Sequence, residues 1–210
     1  MTTHLADRLG TSYVGPDQWR EHQPHLWHGA CLPSVPDFPW PEELLDEACP
    51  LTGTGTVQMT HFAFLGLPTA HGQPVSIARL VSSARWRFAA TAEADVVRQP
   101  YATEETCALR WHLVSRVHLP RFAGMPYAEQ VAALPPDYEV ATAVELATAA
   151  AFNLHVSPRA VVRSRTEDPA WPGTHVAFVS GRKRLLSLAN VADAGRSEHV
   201  TLLASRKPGR

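Results

Sequence analysis

Residues 127–152 read YAEQVAALPPDYEVATAVELATAAAF, and this stretch decides the fold class. Pro126 opens a short helical run, Tyr127–Leu134, which Pro135-Pro136 stops, since proline suits a first helical position and cannot continue a helix. Asp137 then offers a cap for a longer helix over Tyr138–Phe152, ended by Asn153 and Pro158. Along it Val140, Val144, Ala147 and Ala151 form one apolar stripe, with Glu139, Thr142 and Glu145 largely off it. The small alanines predict close approach to a sheet or to the other helix.

Both flanks of this helical pair read as strand. Upstream, Val57 and Met59 lead into His61-Phe-Ala-Phe-Leu, stopped by Gly66-Leu-Pro; His71-Gly-Gln-Pro then turns into a second strand, Val75–Leu80. At Cys107–Val114, Cys107, Leu109, Trp111 and Leu113 alternate with Ala108, Arg110 and His112, the period of a strand buried on one face. Between them Ala89–Asp95 reads as loop or short helix. Downstream, Thr174–Ser180, Arg184–Ala189 and His199–Ala204 are short runs separated by Gly181 and Ala192-Asp-Ala-Gly195, and Val200, Leu202 and Ala204 alternate with their neighbours. Strands, then helices, then strands define an α+β domain.

The first 48 residues differ in character. Six prolines lie between Pro24 and Pro50, with Trp27, Phe38 and Trp40 interleaved. Proline fixes φ and removes donors, so the stretch from Pro24 to Pro50 reads as extended, broken only by a helical turn at Glu42–Ala48, within an N-terminal arm over 1–48 attached to a globular domain over 49–210. Its indoles require the arm to wrap the body through Trp27 and Trp40, because solvated indole surface is wasteful.

Composition narrows function mainly by exclusion. The chain has 210 residues, 45% of them hydrophobic, and a net charge of −1, which fits one globular domain and not a disordered chain. That balance lacks the basic footprint of a nucleic-acid binder. The opening MTTHLADRLG has no apolar core of a secretory signal, and no apolar run reaches the length of a membrane span, so cytoplasmic residence is expected. Three dispersed cysteines, Cys31, Cys49 and Cys107, make no disulfide framework.

Candidate chemistry is sparse. His22, His25, His28 and Cys31 recur every third residue, which a polyproline conformation would align on one edge as zinc-type donors. No known zinc spacing repeats this way, so surface histidines are expected, with no metal and no cofactor. Cys49, His61, Cys107 and His112 are the residues from which a thiol nucleophile and base would be assembled. Cys107, on the apolar side of its strand, reads instead as a small hydrophobe. Leu51-Thr-Gly-Thr-Gly-Thr lacks the lysine and following helix of a phosphate loop. Gly181-Arg-Lys-Arg184 is a basic cluster in a turn between strands.

Four stretches resemble pieces of a family of uncharacterised bacterial proteins. They are Cys49-Pro-Leu-Thr with Thr60-His-Phe-Ala-Phe-Leu, Tyr101–Leu113 (YATEETCALRWHL), Tyr127–Val140, and Leu203-Ala-Ser-Arg-Lys. Some members of that family are similar to the variable proteins of diversity-generating retroelements, which display a mutable surface on a C-type-lectin-like fold, also used by formylglycine-generating-enzyme-like domains. The resemblance implies a C-type-lectin-like α+β domain with two helices and short antiparallel strands, Arg206 as the arginine ending the last strand, and a variable run within Ser180–Glu198. That run has no aromatic residue, and Asn190, Asp193, Ser180, Ser187 and Ser197 alone fit the composition of an adaptable binding surface. The resemblance therefore implies a fixed relative.

The expected function is a non-catalytic binding module whose C-terminal loops meet a protein or small ligand through Arg182, Lys183, Arg184, Asn190, Asp193, Arg196 and Glu198. Their basic excess favours an acidic partner, with no membrane and no nucleic acid. Two other classes compete: an assembly subunit, which a large exposed apolar patch near the arm would mark, and a zinc- or thiol-dependent enzyme, which convergence of the histidines or cysteines in a pocket would mark.

Overall fold

His61–Leu65, five residues that are all buried, form the strand (β2) around which the computed structural model is built. It describes residues 2–30, 34–83, 96–117, 119–152, 161–164, 174–180, 186–192 and 200–208. Before β2 come α1 (Thr2–Leu9), β1 (Tyr13–Val14), α2 (Pro16–His22), α3 (Pro24–His28) and α4 (Val57–Thr60). After it come β3 (Thr69–Ala70), β4 (Gln73–Pro74), α5 (Ile77–Ser83), α6 (Pro100–Glu104), β5 (Trp111–Ser115), α7 (Tyr127–Ala132), β6 (Tyr138–Val140) and α8 (Ala143–Ala151). The remainder is strand: β7 (Val161–Ser164), β8 (Thr174–Ser180), β9 (Leu186–Ala192), β10 (Val200–Leu202) and β11 (Ala204–Arg206).

Two main sheets result. The first has the order β1-β2-β5-β11-β6, antiparallel except for β1 on β2. The second has the order β10-β7-β8-β9, antiparallel except for β10 on β7. The chain is thus of mixed helix and strand, and among the described residues no helix is long and apolar enough to cross a membrane.

Several local expectations change. β5 is buried at every residue, not on one face. One face meets α8; on the other, Tyr13 stacks on Trp111 at 5.3 Å and Phe38 lies edge-on to it at 5.6 Å. Val57 and Met59 belong to a helical turn closed by the Thr60 hydroxyl donating to Thr56 O at 2.8 Å, which leaves Met59 exposed. Residues 77–83 are helical, with Ile77 and Leu80 inward at a spacing of three. Eight α-helical segments, not two, occur among the described residues. The helix expected over Tyr138–Phe152 is divided: Tyr138–Val140 pairs with β11, and the helix begins after Thr142. The last run is also divided, with β10 in one sheet and β11 in the other. Ala89–Asp95 lies outside the described residues.

The N-terminal segment is less extended than its prolines suggest, because Pro16 and Pro24 occupy helix starts, where a missing N–H costs nothing. Leu5, Leu9, Tyr13, Val14, Trp19 and Leu26 join the same core cluster as β2 and β5. Trp40 is buried and Trp27 packs half-buried on that cluster, as the indoles required. Three indole N–H groups reach backbone carbonyls far away in sequence: Trp19 to Leu65 at 2.9 Å, Trp40 to Lys207 at 3.0 Å and Trp111 to Pro36 at 2.9 Å.

Trp19 should therefore matter to the whole domain. Trp19→Leu leaves a cavity and an unsatisfied buried carbonyl at Leu65, with an expected cost of about 3 kcal/mol. Urea unfolding should show a lower midpoint in a single transition; an unmoved midpoint would mean that residues before 49 are energetically separate.

Candidate functional site

Glu145 is a carboxylate in an almost entirely apolar helix, 3% exposed. Its position follows from local chemistry. Thr142 and Glu145 form a capping box, in which Thr142 Oγ1 accepts the Glu145 N–H at 3.3 Å and Glu145 Oε2 accepts the Thr142 N–H at 2.7 Å. This reciprocal cap overrides Asp137 as the helix start. It also turns Oε1 toward the sheet, where His112 Nδ1 donates at 2.7 Å and the Ser205 hydroxyl at 3.3 Å.

The other ring nitrogen of His112 meets the Ala108 carbonyl at 3.2 Å. The ring is thus held between two oxygens, the Glu145 carboxylate at Nδ1 and the Ala108 carbonyl at Nε2. Phe64, its cross-strand neighbour, stacks on it at 4.9 Å and 9°. Gly66 has no side chain because none would fit: a Cβ there would collide with Ala108 O and lie 2.7 Å from His112 Nε2. Burial pushes the Glu145 carboxyl up, but the hydrogen bonds and charge of His112, with those of Thr142, outweigh it and hold the group below the usual carboxylate range.

Cys107 lies beside this pair. Thr148 Oγ1 donates to Val144 O at 2.8 Å and so accepts from the Cys107 thiol, 3.5 Å away. Burial, then the Glu145 charge, push that thiol far up, which keeps it protonated. It is a small buried hydrophobe as expected, but not by a strand position: the strand expected over Cys107–Val114 begins only at Trp111, and Cys107 lies in the segment before it.

His61 belongs to the opposite face of the first sheet, since it pairs with Ser115 whereas Phe64 pairs with His112. Nδ1 donates to Val57 O at 3.2 Å, leaving Nε2 as a buried acceptor with no partner. Burial above all, with the nearby Arg206 and Arg116 charges, lowers its pKa to about 3. The ring lies 5.7 Å from Tyr138, which shares a second core cluster with Cys49. Cys49, His61, Cys107 and His112 therefore do not converge: two sit on the α8 face, and the other two are associated with the opposite one.

The histidine series does not form a polyproline edge either. His22 ends α2, while His25 and His28 lie in α3; Cys31 lies outside the described residues. Among the described residues no group of three His, Cys, Asp or Glu side chains could hold a metal. Of the loop candidates, Asn190 is in β9 opposite Val176. Arg182, Lys183, Arg184, Asp193, Arg196 and Glu198 lie outside the described residues.

Surface concavities occur elsewhere. One of about 370 Å³ is bounded by Tyr13, Asp17, Arg20 and Val35. Another of about 500 Å³ is bounded by Leu51, Thr54, Thr60 and Arg121. A third, of about 380 Å³, runs between α7 and β6. His112 and Glu145 line none of the three. No family model, curated protein or solved structure matches the chain.

Two outcomes are expected. Glu145→Ala leaves His112 Nδ1 without its acceptor in the core and should cost about 3–5 kcal/mol in urea unfolding, whereas a double change of His112 and Glu145 to Leu should cost less. With His112→Leu alone completing the cycle, a double-change cost equal to the sum of the two single costs would show that the pair is not coupled. For His61, a folded pKa lowered to about 3 from 6.5 means that the unfolded chain binds the extra proton between those values. Its stabilisation is complete above 6.5 and declines as pH falls toward 3. Between pH 7.5 and 5 the native protein should lose about 2 kcal/mol more than His61→Leu does; parallel losses would contradict a neutral buried ring.

Proposed function

We propose that the protein is a non-catalytic binding module, in which the first sheet and its helices form a scaffold and the second sheet displays the recognition loops. One observation carries this reading: β8 and β9 pair over their full length, from Thr174 opposite Ala192 to Ser180 opposite Leu186. Residues 181–185 connect the two ends of that ladder, and they include Arg182, Lys183 and Arg184. A basic connection on a rigid hairpin suits contact with an acidic partner, since loops on a fixed sheet are where recognition concentrates. Asp193, Arg196 and Glu198 follow β9 and, with Asn190, complete the proposed surface.

The buried polar groups support the same reading. His112 and Glu145 have their hydrogen bonds taken up within the scaffold, and the Cys107 thiol is held protonated. The resemblance to retroelement variable proteins adds a C-type-lectin-like scaffold and a fixed, cytoplasmic relative of those binders to the proposal.

Fluorescein-labelled poly-glutamate is a suitable probe of the acidic-partner reading. Binding should weaken about tenfold or more as salt rises past the point where the Debye length is ~8 Å, at 0.15 M. Changing Arg182, Lys183 and Arg184 together to Ala should weaken low-salt binding comparably while leaving the circular dichroism spectrum unchanged. Unaltered binding by that folded variant would sink the basic-loop assignment.

A further inference from the structure

β6 is the outer strand of the first sheet, and its backbone is only partly used. Lys207 N donates to Asp137 O at 2.9 Å and Ala141 N to Leu203 O at 2.9 Å, so the odd-numbered residues of this ladder face β11. In an antiparallel pair the intervening residues direct their N–H and C=O groups the other way. For β6 these are Tyr138 and Val140. The Tyr138 N–H is already taken by Pro135 O at 2.9 Å. What remains outward, with no partner among the described residues, is the Tyr138 carbonyl together with both backbone groups of Val140.

These groups border the 380 Å³ groove, whose other wall is Tyr127, Val131 and Leu134. Val131 is 42% exposed, one of three large hydrophobic side chains left open among the described residues. Tyr127 and Leu134 pack against the cluster that contains Tyr138 and Val140, so helix side and strand side share one apolar surface. Lys207 stands at the Asp137 end of the groove. Its ammonium donates to Pro136 O at 2.8 Å, and among the described residues no carboxylate pairs with it.

We propose that this groove receives the C-terminal end of an extended peptide, which adds to β6 as an antiparallel strand and places its carboxylate at Lys207. The direction follows from the free groups. The third-last peptide residue, opposite Val140, exchanges two hydrogen bonds with it. The last residue, opposite Tyr138, donates its N–H to the Tyr138 carbonyl. Beyond that point the strand offers no donor, because Pro135 occupies the Tyr138 N–H, and the terminal oxygens find the Lys207 ammonium instead. Residues two apart on the added strand share a face with Val140 and Tyr138, so apolar side chains at the last and third-last positions meet the α7 wall. The partner is thus a protein or peptide with an apolar, free C-terminus.

The test uses two mixtures of N-terminally fluorescein-labelled hexapeptides with Val, Leu, Ile or Phe at the last and third-last positions and Ser or Gly elsewhere. One mixture ends in a free carboxylate and the other in a carboxamide. Anisotropy titrations with the full chain should show the free-acid mixture binding about tenfold or more tightly, a difference that Lys207→Ala abolishes and Lys207→Arg retains. Val131→Asp, at an exposed position, should weaken both mixtures without altering the fold. The triple alanine change at 182–184 should leave this binding intact, which separates it from the loop surface. Equal binding of acid and amide, no binding of either, or a difference that survives Lys207→Ala overturns the proposal.

Discussion

A carboxylate inside a hydrophobic core must be surrounded by donors, and the Glu145 side chain collects them from three parts of the chain. Removing such an ion from water costs several kcal/mol, repaid only by close, well-directed partners. Those partners are the Thr142 N–H before α8, His112 in β5 and Ser205 in β11. One side chain thereby sets the start of α8 and its placement over two neighbouring strands. The constraint propagates further: His112 needs the Ala108 carbonyl, the Ala108 carbonyl needs a bare backbone at residue 66, and Phe64 must lie flat on the imidazole. Apolar packing supplies most of the driving force, but it would tolerate several registers, whereas this polar chain tolerates few.

The tryptophans do comparable work for the N-terminal segments. An indole combines a large apolar area with one donor that must be satisfied when buried. Trp19, Trp40 and Trp111 each place that donor on a carbonyl remote in sequence. The two from the first 48 residues and the one from β5 join the segments before 41 to the sheet. The prolines among them act chiefly as starters of short helices and as spacers.

What the sequence revealed depended on how local the determining interaction was. The run His61-Phe-Ala-Phe-Leu is apolar, short and bounded by Gly66, and it is a strand; Thr174–Ser180 likewise matches its strand end to end. The capping pair Thr142 and Glu145 is four letters of sequence and could have been read, but Asp137 competed for the same role. The pairing of His112 with Glu145 could not, because nothing in their spacing announces contact between a strand and a helix 33 residues away. Alternation around Trp111 misled for a related reason: a strand covered on both faces buries its polar members too, provided each finds a partner. Residues 77–83, four of them apolar, are too few for periodicity to separate helix from strand. The division of the last run at Leu203 depended on two sheets competing for adjacent residues, which no local pattern encodes.

The position of β11 has a consequence for how the molecule is made. It lies between β5 and β6, yet it follows both of them, and every other described strand, in the order of synthesis. As the chain emerges from the ribosome, β2 and β5 can pair, and α8 can form under its cap. The gap beside β5 stays open meanwhile, with one donor to Glu145 missing. Closure waits for residues 204–206, and the loops it must then bring together are long, which is the topology associated with slow folding. Until that moment the nascent chain carries an unfilled sheet edge and a buried charge short of one partner, the kind of surface that chaperones shield.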